Sequence, residues 1–382
     1  MLLGALILNQ WSHVLIGTFS LGGIFKILKS FTIIMLSILF YSACGSGVFV
    51  GKRVIETSML SPPLTLLWTY SLDGPPIGQA LGTEGLVFQA TTSGSLFAFD
   101  IKTGTKIGQK SFRSLISAPL ALSDAWFGIP VQEKKYGMLI WDRENQTEYW
   151  NGLQNGCMTP IFVGDVIIVA NKNGNVTALN VILNEEIWKT ELKNTLRVIP
   201  GYFGDAIYVG SSNGTISHFG VENGKSDWSI KLDSAVRSVP LVDKMGLFVA
   251  TANGVVYLLD EKNGSIKWQT LISGVPTVRL SNENNILVVG ASDRKLYGIE
   301  IDNGVVLWEY ETQGVVTGAP LINDGIVYIS SSDEQIYAIK IESGKLLWKF
   351  RLDGPALQPL ALLDGTILVA SEKKTLYAFG NR

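Results

Sequence analysis

Histidine is nearly missing from this chain of 382 residues, which has only His13 and His218. That scarcity removes the parts for a histidine-ligated metal site or a Ser-His-Asp arrangement. Cysteine is equally scarce, with Cys44 and Cys157 alone, so no framework of several disulfides holds the fold. An excess of one charge is also lacking. Lys and Arg number 31 against 33 Asp and Glu, a net charge of −2, without the basic field that draws a protein to nucleic acid. His218, in a segment where sister segments carry Ala, reads as a packed or half-exposed strand residue.

What the chain has in quantity is a repeat. Trp188, Trp228, Trp268, Trp308 and Trp348 fall 40 residues apart, Trp150 lies 38 before the first, and Trp68 lies 82 before that. An apolar pentad keeps the same time at 96–100, 138–142, 176–180, 216–220, 256–260, 296–300, 336–340 and 376–380. Eight copies of one supersecondary unit follow, each unable to bury its apolar face alone. The copy near Gln109 lacks its Trp, and the copy at Asn184 lacks its Gly.

Each unit reads as four short antiparallel strands rich in Val, Ile and Tyr, punctuated by Gly, Asn and Asp. The pairs Asn173-Gly174, Asn213-Gly214 and Asn253-Gly254 predict type I′ hairpin turns. Residues 64–382 make 319 positions, which eight units of about 40 consume entirely. Radial closure hides the sheet edges of such a repeat. The expected fold is all-β, an eight-bladed β-propeller of four-stranded antiparallel blades. The segment 66–70 is a Trp strand with no unit before it, and the pentad 376–380 has no Trp strand after it, so the N-terminal strand is expected to close the last blade.

Ala98-Phe99-Asp100 with Gly104, and Ala338 with Gly344 and Trp348, resemble the tryptophan-docking repeat of quinoprotein-type (PQQ-like) propellers. The Gly-to-Trp step of four recurs at Gly224 and Trp228, Gly264 and Trp268, and Gly304 and Trp308. Enzymes of that class carry long insertions, a calcium site and often an adjacent cysteine pair, none of which fits eight minimal blades. The resemblance therefore implies a propeller without catalytic residues, metal or cofactor. The alternative is an enzyme or sensor that binds a PQQ-type quinone in the central channel, and an adhesive or polysaccharide-binding propeller is a third reading.

The N-terminal region has a second message. Lys26 and Lys29 precede an apolar run over 31–43 that ends in Ser42-Ala43 before Cys44. A basic segment, a short apolar core and small residues at the cut describe an export signal, and a run of 13 residues falls short of the roughly 20 that span a bilayer. The context of Cys44 resembles a bacterial lipobox, with Tyr41 where Leu is usual. Residues 1–43 are expected to be a leader, Cys44 the lipid attachment, 44–63 a tether and 64–382 the propeller. An uncleaved anchor is the competing reading of 31–43. With Cys44 acylated, Cys157 is a lone thiol that reads as a small buried hydrophobe.

Three positions before the recurring proline stand Cys157, Arg197, Arg237, Thr277 and Thr317. Arg197 and Arg237 are thus expected as neighbours at one mouth of the channel, ready for an acidic partner loop or small anion, or else paired with a local carboxylate such as Asp233. Arg113 and Arg279 fall outside that register. A minimal eight-bladed propeller behind a lipoprotein leader resembles the BamB family of outer-membrane β-barrel assembly. The resemblance implies a monomer within a complex at the outer membrane, facing the periplasm, whose partner is a periplasmic domain of a β-barrel assembly protein. It also carries over Leu196 and Arg197 as partner contacts. The family's acidic loop has no counterpart, since Ala235-Val236-Arg237 stands in its place.

Overall fold

The computed structural model describes residues 59–381 except 84, 133–135 and 152–155. The expected leader, Cys44 and the tether as far as residue 58 lie outside the described residues. Among the described residues the strands form eight antiparallel sheets and no helix. Blade 1 occupies 76–111, blade 2 115–151, blade 3 161–191, blade 4 201–231, blade 5 241–271, blade 6 276–311 and blade 7 321–351. Blade 8 takes 361–380 and, as its outermost strand, Thr65–Ser71. The eight-bladed ring and its closure by the N-terminal strand are as the repeat predicts.

Blade 5 shows why the segments form strands. Leu241–Asp243, Gly246–Ala250 and Val255–Leu259 lie toward the axis, and the last two are buried along their whole length because neighbouring blades cover both faces. Such strands read as unbroken apolar runs. The outermost strand, Ile266–Leu271, faces solvent on one side and alternates exposed with half-buried residues. The Asn-Gly hairpins differ from the type I′ expectation. Gly254 has φ of +88°, but Asn253 does not share the left-handed region, and Gly254 N–H bonds Thr251 C=O at 3.1 Å. The pair therefore ends a turn whose central residues both have negative φ, with Gly supplying the left-handed step after it.

The tryptophans stitch blade to blade. The indole N–H of Trp68, Trp188, Trp228, Trp268 and Trp308 donates to the carbonyl of Ile101, Val221, Glu261, Ile301 and Ile341, each 33 residues ahead, at 2.6 to 2.9 Å. Each ring lies flat against a glycine of the next blade: Gly104, Gly224, Gly264, Gly304 and Gly344. All five have φ of +62° to +77°, and a Cβ there would meet the ring at 2.5 to 2.8 Å. Only glycine satisfies both the dihedral and the approach.

Trp68 makes this contact from blade 8 to blade 1. Its strand is clasped by the register Trp68↔Ala378, Tyr70↔Leu376, so the same device that joins interior blades also seals the ring. The two degenerate copies are compensated locally. Asn184 takes the missing glycine's place at φ +53°, a region that Asn tolerates better than other side chains. In blade 1 the Trp position holds Gly108, opposite Ala98. There the junction is filled from blade 2, where Trp141 stacks on Phe127 at 5.4 Å under the Lys110 ammonium at 4.9 Å.

Gly304→Ala is expected to destabilise the protein by roughly 1 to 3 kcal/mol, from left-handed strain and displacement of the Trp268 ring, read as a lowered melting temperature. Gly108→Ala, where nothing lies within 4 Å of the added methyl, is expected to leave the melting temperature almost unmoved. Equal effects at the two sites would count against ring docking.

Candidate functional site

In six of the eight blades the innermost strand is irregular before it settles into its ladder. In blades 1 and 6 the register slips between Ile77 and Leu81 and between Pro276 and Leu280. In blades 3, 4, 5 and 7 a single bridge, such as Leu196↔Ser211, precedes the strand proper. Bulges of this kind re-aim side chains. Here positions 79, 119, 159, 199, 239, 279, 319 and 359, one per blade at 40-residue steps, all line one cavity of about 260 Å³ on the ring axis.

The ring of eight reads Gln, Pro, Thr, Ile, Val, Arg, Ala, Pro, so Arg279 is its one charge. Arg197 also lines the cavity and is exposed, which places it at the mouth. Arg279 is half-buried. Desolvation pulls its pKa below the ordinary value, with no neighbouring charge opposing the shift. No Asp or Glu lines the cavity. The walls are tied by bonds between blades, with Gln358 Oε1 accepting from Gly78 N–H at 3.1 Å and the Thr317 hydroxyl donating to Ala356 C=O at 2.6 Å.

The other expected site residues separate. Arg237 is exposed but does not line the cavity. Leu196 is 2% exposed and packs with Ile207 and Val209 between blades 3 and 4. An apolar side chain so enclosed has no surface to offer a partner, and its role is to anchor the loop that carries Arg197. Asp233 does not pair with Arg237. It accepts from the Tyr257 hydroxyl and the Asn253 amide. His218 is half-buried beside Trp228 and Tyr208, and no group of three or more His, Cys, Asp or Glu among the described residues is placed to hold a metal.

Residues 49–184, 183–332 and 312–382 match the family model described as outer membrane protein assembly factor BamB. The chain belongs to the BamB family. No curated protein matches significantly. Among solved structures, BamB from Moraxella catarrhalis is similar at 15% identity and a TM-score of 0.72, over 83% of this chain and 99% of that one. A computationally designed protein, Ika8, is similar at 18% identity and 0.71, over 81% and 98%. A europium-containing methanol dehydrogenase is similar at 12% and 0.68, over 83% and 93%. At these identities the structural likenesses establish the propeller fold alone, and a BamB and a dehydrogenase share it. Family membership rests on the BamB model.

Two outcomes follow from local environments in this BamB-family propeller. Cys157 is 5% exposed, and burial pushes its thiol up to about 11, so thiol-alkylating reagents at neutral pH are expected to modify it only on unfolding. Labelling of the native protein would contradict this. The Tyr257 hydroxyl, outweighing desolvation, holds the Asp233 carboxyl below its usual value. The resulting stability is present above the unfolded carboxylate pKa of about 3.9 and is lost as pH falls through the lower folded value. Tyr257→Phe is expected to flatten that acid limb of the melting profile and leave the neutral region parallel to wild type.

Proposed function

We propose that this protein is a non-catalytic scaffold of the bacterial cell envelope, lipid-anchored through Cys44 and facing the periplasm from the outer membrane. It binds a periplasmic domain of a β-barrel assembly protein through loops on one rim. The observation that carries this reading is the match to the BamB family over 49–382. The rim supplies the means. Arg197 and Arg237, on equivalent loops of adjacent blades 4 and 5, are both exposed, and neither is engaged by a carboxylate among the described residues. Guanidinium groups so placed recognise carboxylates through paired hydrogen bonds. Rigid blades hold such loops in fixed relation.

The quinone alternative needs acidic ligands for its calcium ion. The cavity lining contains none, which favours the scaffold reading.

The test is capture of the barrel-assembly complex from native membranes by the full chain. Arg197→Glu combined with Arg237→Glu is expected to reduce recovery several-fold, with the melting temperature unchanged. Cys44→Ser is expected to release the protein from the membrane fraction. Equal recovery by the charge-reversed protein would count against the rim contact. Leu196→Ala is not a useful probe of that contact, because emptying its core position costs about 2 to 5 kcal/mol.

A further inference from the structure

We infer that the central cavity is a binding site for a compact oxyanion, a phosphate or a small carboxylate, gripped by Arg279 and reached past Arg197. This site does not depend on the partner reading of the rim loops.

The first ground is an uncompensated charge. Arg279 lies where seven sister blades place uncharged residues. Its guanidinium donates no hydrogen bond and forms no ion pair with any described residue. A cation drawn partly out of water is costly unless an anion or acceptors meet it, and the lining offers no carboxylate.

The second ground is that the residue cannot easily withdraw. Next to it Leu280 is 4% exposed in the core between blades 5 and 6, and Ser281 is tied through its hydroxyl to Pro320 C=O at 2.5 Å in blade 7. The backbone that carries Arg279 is thus held on both sides, and its side chain lines the cavity.

The third ground is the surrounding polarity. Arg197 lines the same cavity a quarter-turn away, in blade 4. Thr317 of blade 7 and Gln358 of blade 8 lie on the same wall. Thr159 and Gln79 add polar groups to the ring itself. Two cations and several hydroxyl or amide groups around a space without acids make a positive wall suited to charge-assisted bonds with an anion.

Size sets the class of ligand. A volume of about 260 Å³ holds an ion with a few waters or a small dicarboxylate, since one water takes about 30 Å³ of liquid. It lies below the 300 to 1,000 Å³ typical of pockets for drug-sized ligands. Both guanidinium groups suit phosphate and carboxylate alike, and the two probes below separate the sources.

The experiment is calorimetric titration of the full chain with inorganic phosphate and, separately, with malonate at fixed ionic strength, alongside melting curves. Wild type is expected to bind at least one of them saturably at one site, with a melting temperature that rises with its concentration. The tighter probe identifies the ligand's chemistry. Arg279→Gln is expected to weaken binding about tenfold or more and, without anion, to melt no lower than wild type because it removes an unpaired cation. Arg113→Gln, at an exposed position outside the cavity, is expected to bind as wild type does. The inference is overturned if neither probe saturates, if Arg279→Gln binds as tightly as wild type, or if Arg113→Gln loses as much as Arg279→Gln.

Discussion

The structure depends on one contact repeated at five of the eight blade junctions: an indole laid on a glycine of the next blade, with its N–H on a carbonyl 33 residues ahead. Each such bond is worth about 1 kcal/mol net, and the buried ring face adds more through lost water contact. The geometry matters beyond these energies. A flat ring against a residue without a side chain fixes the distance and angle between consecutive blades, so the 40-residue period becomes a constant rotation that closes on itself. Trp68 completes the circle because blade 8 borrows its outer strand from the chain's beginning.

Closure determines where chemistry can sit. Strand faces between blades are consumed by packing, as the fully buried runs 246–250 and 255–259 show. What remains free is the loops of the two rims and the wall of the axial cavity. The rim loops offer Arg197 and Arg237 to an outside partner, while the wall offers Arg279 to something small. Arg197 stands where the rim meets the cavity and belongs to both readings, whereas Arg237 and Arg279 separate them.

The repeat made the architecture legible from the amino acids alone: the blade number, the strand order and the clasp all follow from the spacing of Trp, Gly and the apolar pentad. The site was only partly legible. Counting back three positions from the recurring proline points to Arg197, but in blade 6 the same count gives Thr277 and passes over Arg279, which stands one position before the proline site. The 40-residue step from Ile199 and Val239 reaches Arg279 directly, but only the folded ring shows that this register lines the cavity. Leu196 was misjudged for a related reason. Neighbours in a bulged strand point in opposite directions, so Arg197 faces the mouth while Leu196 turns into the core. The Asn-Gly turns show the same limit, since identical residues serve two turn types and the hydrogen-bond register decides between them.

The most direct measurement of the closed ring is hydrogen exchange at the indole N–H groups, resolved by nitrogen-15 NMR. The docked indoles of Trp188, Trp228, Trp268 and Trp308 are predicted to exchange only through global unfolding, and Trp68 is predicted to be protected to the same degree as those four. Rapid exchange at Trp68 while the others stay protected would show that the eighth blade does not lock onto the first, and would contradict the account.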